Sequence, residues 1–125
     1  GVAYLVQTDG ETFYHAGDLN QWKWDGVGEL INGKESRAYH HEIKKLLDIH
    51  IDVAFVVLDT RLKQNATLGL DYFMQNIEAD VVFPMHMWQD YSGIRDYKKR
   101  ITNLGMANRL IEIERENQVF PFGEM

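Results

Sequence analysis

The chain has 125 residues with 13 Lys and Arg against 19 Asp and Glu, a net charge of −6. That balance excludes the concentrated positive face that grips a nucleic-acid backbone. Cysteine is absent, so disulfides and thiolate chemistry are excluded, and a metal could be held only by His, Asp, Glu or backbone oxygen.

The chain opens on Gly1 and runs directly into apolar Val2-Ala3-Tyr4-Leu5-Val6 with no polar lead. This reads as an entry in mid-sheet with an N-terminal part missing. Residues 2–8 are apolar and β-branched enough for a strand. Thr8-Asp9-Gly10-Glu11 is a hairpin turn signal, and residues 12–15 are the returning strand. Residues 19–33, rich in Gly, Trp and Asn, read as a loop. A helix is predicted over 35–48, with Tyr39, Ile43, Leu46 and Leu47 as its apolar stripe. Residues 52–58 (DVAFVVL) are nearly all apolar, as a strand buried on both faces would be. In a second helix, 66–77, Leu70, Phe73, Met74 and Ile77 follow helical spacing. Residues 80–83 form another buried strand, ended by Pro84, which has no N–H for a ladder. A third helix is predicted over 93–103, N-capped by Ser92, with the stripe Ile94, Tyr97, Ile101 and Leu104 and with Gly105 past its end. Lys98-Lys99-Arg100 reads as its solvated face. A short strand at 110–113 follows, and the tail Phe120-Pro121-Phe122 is expected to pack on the body. Strands alternating with helices after a hairpin indicate one α/β layer. The longest apolar run, 53–58, is strand length, far short of the roughly 20 residues that cross a bilayer. No signal peptide is evident, and the expected location is cytoplasmic.

Two residues share a setting suited to chemistry. Asp18 follows one predicted strand in His15-Ala16-Gly17-Asp18-Leu19-Asn20, and His86 follows another in Phe83-Pro84-Met85-His86-Met87-Trp88. In open α/β sheets, ligands collect where strands hand residues to the loops at one edge. Gly17 lets the backbone turn sharply. Taken singly, the first is an ordinary turn signal and the second an ordinary structural histidine. His40 and His41 are adjacent on a helix, so their side chains diverge and cannot chelate one ion well.

Taken together, YHAGDLN, DVAFVVLDTR and ADVVFPMHMW resemble the second half of the metallo-β-lactamase superfamily, in its broad branch of generic hydrolases. The resemblance covers nearly the whole chain. It implies an α/β fold, the C-terminal half of an αββα sandwich: one mixed sheet with helices on one face, and residues 1–125 as a single partial domain. It also implies that Asp18 is a carboxylate bridging two metals and that His86 is the last histidine ligand. Zinc is the implied metal, while manganese and iron suit the same donors. A metal-bound hydroxide would attack an ester, lactone or phosphoester bond of a small-molecule substrate. The superfamily's leading His-x-His-x-Asp-His motif and its third histidine ligand are absent from this chain, which alone is then expected to be inactive.

Around the pair, Trp22, Trp24 and Trp88 either line the substrate mouth or cover the core or an interface, and Asn20, a further candidate at that mouth, is placed to donate a hydrogen bond near the metals. His15, Asp59 and Arg61 either orient metal ligands or make ordinary structural pairs. The competing reading is a non-catalytic half-domain that associates with itself, or with a partner chain standing in for the missing N-terminal half. A third reading is a plain α/β regulatory or binding domain whose likeness to the superfamily is accidental.

Overall fold

A computed structural model describes residues 2–88, 90–102 and 104–121. Gly1, Asn103 at the end of the third predicted helix, and Phe122 of the tail lie outside the described residues. Asp9 and Gly10 both take positive φ, 51° and 80°. That is the two-residue turn whose twist suits a tight hairpin. It joins β1 (Tyr4–Thr8) to β2 (Glu11–His15), antiparallel from Tyr4 opposite His15 to Thr8 opposite Glu11. The chain continues through α1 (Glu29–Lys44), β3 (Ile51–Val57), a 3-10 segment (Thr60–Asn65), α2 (Leu68–Asn76), β4 (Ala79–Met85) and α3 (Ser92–Thr102). The sheet order is β1-β2-β3-β4, and the β2–β3 and β3–β4 pairs are parallel. The fold is therefore α/β with one mixed sheet.

Paired residues carry their side chains on the same side of a sheet. Tyr14, Ala54 and Val82 form one face, and all three are buried. They belong to one core cluster with Tyr39 and Ile43 of α1, Leu70, Phe73 and Met74 of α2, and Ile94, Tyr97 and Ile101 of α3. The Phe73 ring stacks on Tyr14 at 5.7 Å. Burial of these side chains supplies the main stabilisation, about 1.5–3 kcal/mol for each large one. The opposite face carries Phe13, Val53 and Val81, then His15, Phe55 and Phe83. None of these belongs to the main cluster. Phe55 and Phe83 stack on one another at 5.3 Å, and Phe120 meets Phe83 edge-on at 5.3 Å. No helix among the described residues is long and apolar enough to cross a membrane.

Several expectations are corrected. α1 begins at Glu29 and ends at Lys44, so the predicted loop 19–33 is shorter and the helix is shifted towards the N-terminus. Its first turn carries Leu30 and Ile31 exposed, so no apolar face marks that start in the sequence. Leu47 and Leu104, placed on helix stripes, are exposed and lie past the ends of their helices. Pro84 does not end β4, which runs on to Met85. Leu58 N–H donates to the Met85 carbonyl, so at this end of β4 Met85 turns its backbone carbonyl towards the β3 side. Val82 turns the other way, accepting from Ile111 N–H on the outer edge. Pro84 shares that outer direction, and its missing donor costs no bond to β3. The predicted strand 110–113 reduces to a single bridge, Val82 with Leu110, after a 3-10 turn at Ala107–Arg109. In the basic run, Lys98 donates to the Leu110 carbonyl and Arg100 pairs with Asp71, so two of the three serve tertiary contacts.

Candidate functional site

Three parallel strands end at the same sheet edge, and each hands a polar residue to the loop beyond it. Asp18 follows β2, Asp59 follows β3 and His86 follows β4. The register sets Val57 opposite Met85, which brings the residues just beyond them together. His86 Nδ1 lies 2.9 Å from Asp59 Oδ2. Asp59 is 0% exposed and also binds Arg61 three ways: Oδ1 accepts from the backbone N–H (3.0 Å), and the two oxygens accept from Nε (3.0 and 3.1 Å) and Nη2 (2.6 Å). Burial pushes the Asp59 carboxyl up, but the hydrogen bonds from Arg61 and His86 and the guanidinium charge outweigh it and hold it at about 2. Ionised Asp59 can only accept, so His86 Nδ1 carries the proton and, in the neutral ring, Nε2 keeps its lone pair.

All three tryptophans of the chain gather here. Trp22 and Trp24 stack at 6.1 Å, Trp22 meets the His86 ring at 5.8 Å, and Trp88 meets it from another side at 5.4 Å. The Arg61 guanidinium lies 5.9 Å from the Trp24 ring and 5.2 Å from the Trp88 ring, within cation–π range of both. The loop bearing Trp22 and Trp24 is tied to α1 on several sides. Gln21 bonds Ser36 and His40, and Asn32 bonds both backbone groups of Trp24. His86 and Trp88 take positive φ, 77° and 52°. Such backbone costs roughly 1–3 kcal/mol at a non-glycine residue and clusters at functional sites.

The exposed Asp18 lies on the turn opened by Gly17, whose φ is 63°. A Cβ on Gly17 would fall 2.6 Å from the Val2 carbonyl oxygen, so only glycine fits. His15 shapes the same turn: its Nδ1 accepts from Gly17 N–H (3.0 Å), and its ring lies against Phe55. Trp22 Nε1 donates to the Asp18 carbonyl (3.1 Å) while its ring meets His86, so one indole links the two residues singled out from sequence. Asn20 is 3% exposed, and neither its Nδ2 nor its Oδ1 has a hydrogen-bond partner among the described residues. A cavity of about 200 Å³ adjoins it, lined by Asp18, Trp22, Glu35 and Tyr39 among others.

The donor chemistry fits a divalent transition metal. A histidine whose Nδ1–H is held by a carboxylate presents Nε2 in a fixed direction, the usual support for a metal-binding imidazole. Asp18 and His86 are two donors, whereas a catalytic zinc commonly has three protein ligands. They do not form part of a converging trio among the described residues. Such a trio exists at the opposite sheet edge, where sequence reasoning found nothing: His50, Asp52 and Asp80. The signal was His50-Ile51-Asp52 with Asp80 on the next strand. Both His50 nitrogens are engaged, Nδ1 with Glu78 (3.0 Å) and Nε2 with Asp80 (3.1 Å), so an ion would have to displace one of these carboxylate contacts from the ring. Those hydrogen bonds, with Glu78 first and then Asp80, also raise the pKa of His50.

No protein-family model, curated protein or solved structure matches the chain. The likeness to the metallo-β-lactamase superfamily therefore rests on the residues quoted for it.

Proposed function

We propose that this chain carries part of the active site of a metal-dependent hydrolase of the metallo-β-lactamase type, acting on an ester, lactone or phosphoester bond of a small molecule. The observation that carries this reading is the Asp59–His86 pair: a buried, ionised carboxylate fixed to Nδ1, at the sheet edge that also bears Asp18. His86 Nε2 and the Asp18 carboxylate are the metal donors, with zinc first and manganese or iron suited to the same atoms. A bound ion supplies Lewis acidity and a water of lowered pKa. Asp59 holds the His86 ring in one tautomer and one direction. Arg61 keeps Asp59 ionised, so that Asp59 accepts the hydrogen bond from His86 Nδ1–H and does not compete as a donor. Trp22 and Trp88 shield the imidazole from bulk water on two sides. The remaining donors come from outside these 125 residues, and the chain by itself is not a competent catalyst.

A zinc titration against a chromophoric chelator tests the reading. Asp18→Ala and His86→Ala should each weaken zinc uptake about tenfold or more, the loss typical when a site loses a supporting contact, while His50→Ala leaves it unchanged. Uptake lost in His50→Ala and kept in the other two would refute it.

A second reading, a non-catalytic half-domain that pairs with another copy, is supported by β1. All five of its residues are exposed, including Tyr4, Leu5 and Val6, and it forms an open sheet edge. Light scattering separates the two: a strict monomer at high concentration counts against association.

A further inference from the structure

We infer that the hollow over His86 is a subsite for a flat, uncharged ring, an aryl group carried by the substrate beside the bond that reacts. The inference rests on His86 being the reacting end of the site. The hollow measures about 300 Å³ and is lined by His86, Met87, Trp88 and Tyr91. That volume lies at the small end of ligand pockets, which are mostly apolar with a few polar groups.

Three observations decide what it takes. First, among the described residues that line it, none is an acid, a lysine or an arginine. Away from an ion held by His86, a charged ligand group would lose its hydration there without a counter-charge from the described lining residues. Second, the polar groups in the side chains of the described lining residues are one imidazole, one indole N–H and one phenol hydroxyl. A sugar, with hydroxyls around its rim, would leave several of them unpaired. Third, Trp88 is 68% exposed, a large apolar surface that the fold leaves open. The Arg61 guanidinium lies 5.2 Å from this indole but is not among the described residues that line the hollow. The Trp88 and His86 rings stand at 85° to each other, forming two walls of a corner. A ring laid flat on Trp88 meets His86 at its edge, an arrangement aromatic pairs favour. The left-handed backbone at both residues holds this corner, and relaxing either would turn its side chain away.

The test is a titration of the ¹⁵N-labelled chain with benzyl alcohol, and separately with glucose, both in the presence of EDTA so that metal plays no part. The indole N–H resonance of Trp88 is identified by its disappearance in Trp88→Ala. Benzyl alcohol should shift that resonance and the amides of Met87 and Tyr91, with the roughly millimolar affinity of so small a ligand. Glucose should leave them in place. Trp88→Ala should weaken binding about tenfold, read from the Met87 and Tyr91 amides, without changing the far-UV spectrum. Glucose shifting these signals as strongly as benzyl alcohol, an unchanged affinity in Trp88→Ala, or no shift with either ligand would overturn the inference. Zinc uptake is scored separately. A protein that takes zinc at His86 but ignores the alcohol loses only the subsite. One that binds the alcohol but takes no zinc there loses the hydrolase reading.

Discussion

Replacing Asp59 with Asn keeps the size of the side chain and an oxygen for the Arg61 backbone N–H, but removes the charge that Arg61 and His86 share. In the folded chain this carboxyl is held at about 2, against an ordinary value of 3.8. Nearly two pH units at roughly 1.4 kcal/mol each put the stabilisation lost at about 2.5 kcal/mol. For a chain of this size, that lowers the melting temperature by roughly 8 °C. The sign with pH follows from the depressed value. The contribution is fully present above 3.8 and is lost as the pH falls towards 2. Thermal unfolding followed by circular dichroism, with EDTA present throughout, should therefore show Asp59→Asn less stable at pH 7. The gap should close between pH 4 and pH 2. A difference below about 0.5 kcal/mol at pH 7, within the range of a neutral surface change, would refute the reasoning. So would a gap that persists undiminished at pH 2.

Gly69→Ala should destabilise by about 1–3 kcal/mol in urea unfolding, the cost of overpacking. Its Cβ would overlap Asn20 Oδ1 and lie 3.1 Å from Gln21 N. The usual gain of about 1 kcal/mol for this substitution in a helix makes the sign itself informative. Asn20→Leu should be neutral or stabilising by about 1–2 kcal/mol, because it removes two buried polar atoms that have no partner among the described residues; a clear destabilisation would show that the amide is in fact bonded. His50→Gln should flatten the change of melting temperature with pH above 6.5. The folded pKa of His50 is raised by Glu78 and Asp80, so its contribution is complete below 6.5 and is lost as pH rises through the folded value. Asp52 also faces His50, and Glu11, held up chiefly by Asp52, is the fourth carboxylate of the cluster. Identical pH profiles for the two proteins would contradict this.

What could be read from the residues follows the strength of local signals. The Asp9-Gly10 turn, the apolar run of β3 and the spaced Leu70, Phe73, Met74 and Ile77 each have one physical solution, and those elements fall within two residues of where they were expected. The start of α1 was hidden because Gly26 and Gly28 precede it and Leu30 and Ile31 point to solvent. The continuation of β4 through Pro84 depends on which way an edge residue turns its missing donor, and periodicity does not carry that information. Asp59 and His86 are 27 residues apart, and only the parallel register of β3 and β4 makes them a pair. His15, read either as orienting a metal ligand or as making a structural pair, accepts from Gly17 N–H and shapes the turn before Asp18. The tryptophans could be read as a substrate mouth or as core cover. Trp22 packs on the core cluster while also touching His86, whereas Trp88 stays open.

The most direct measurement is the ¹⁵N spectrum of the histidine rings during addition of zinc. The expected result is that His86 alone changes, with Nε2 moving to the position of a metal-bound nitrogen while Nδ1 keeps its proton on Asp59, and that Asp18→Ala weakens this change. Zinc that perturbs only His50, or that leaves His86 Nε2 where it was, would contradict the assignment of His86 and Asp18 as metal ligands.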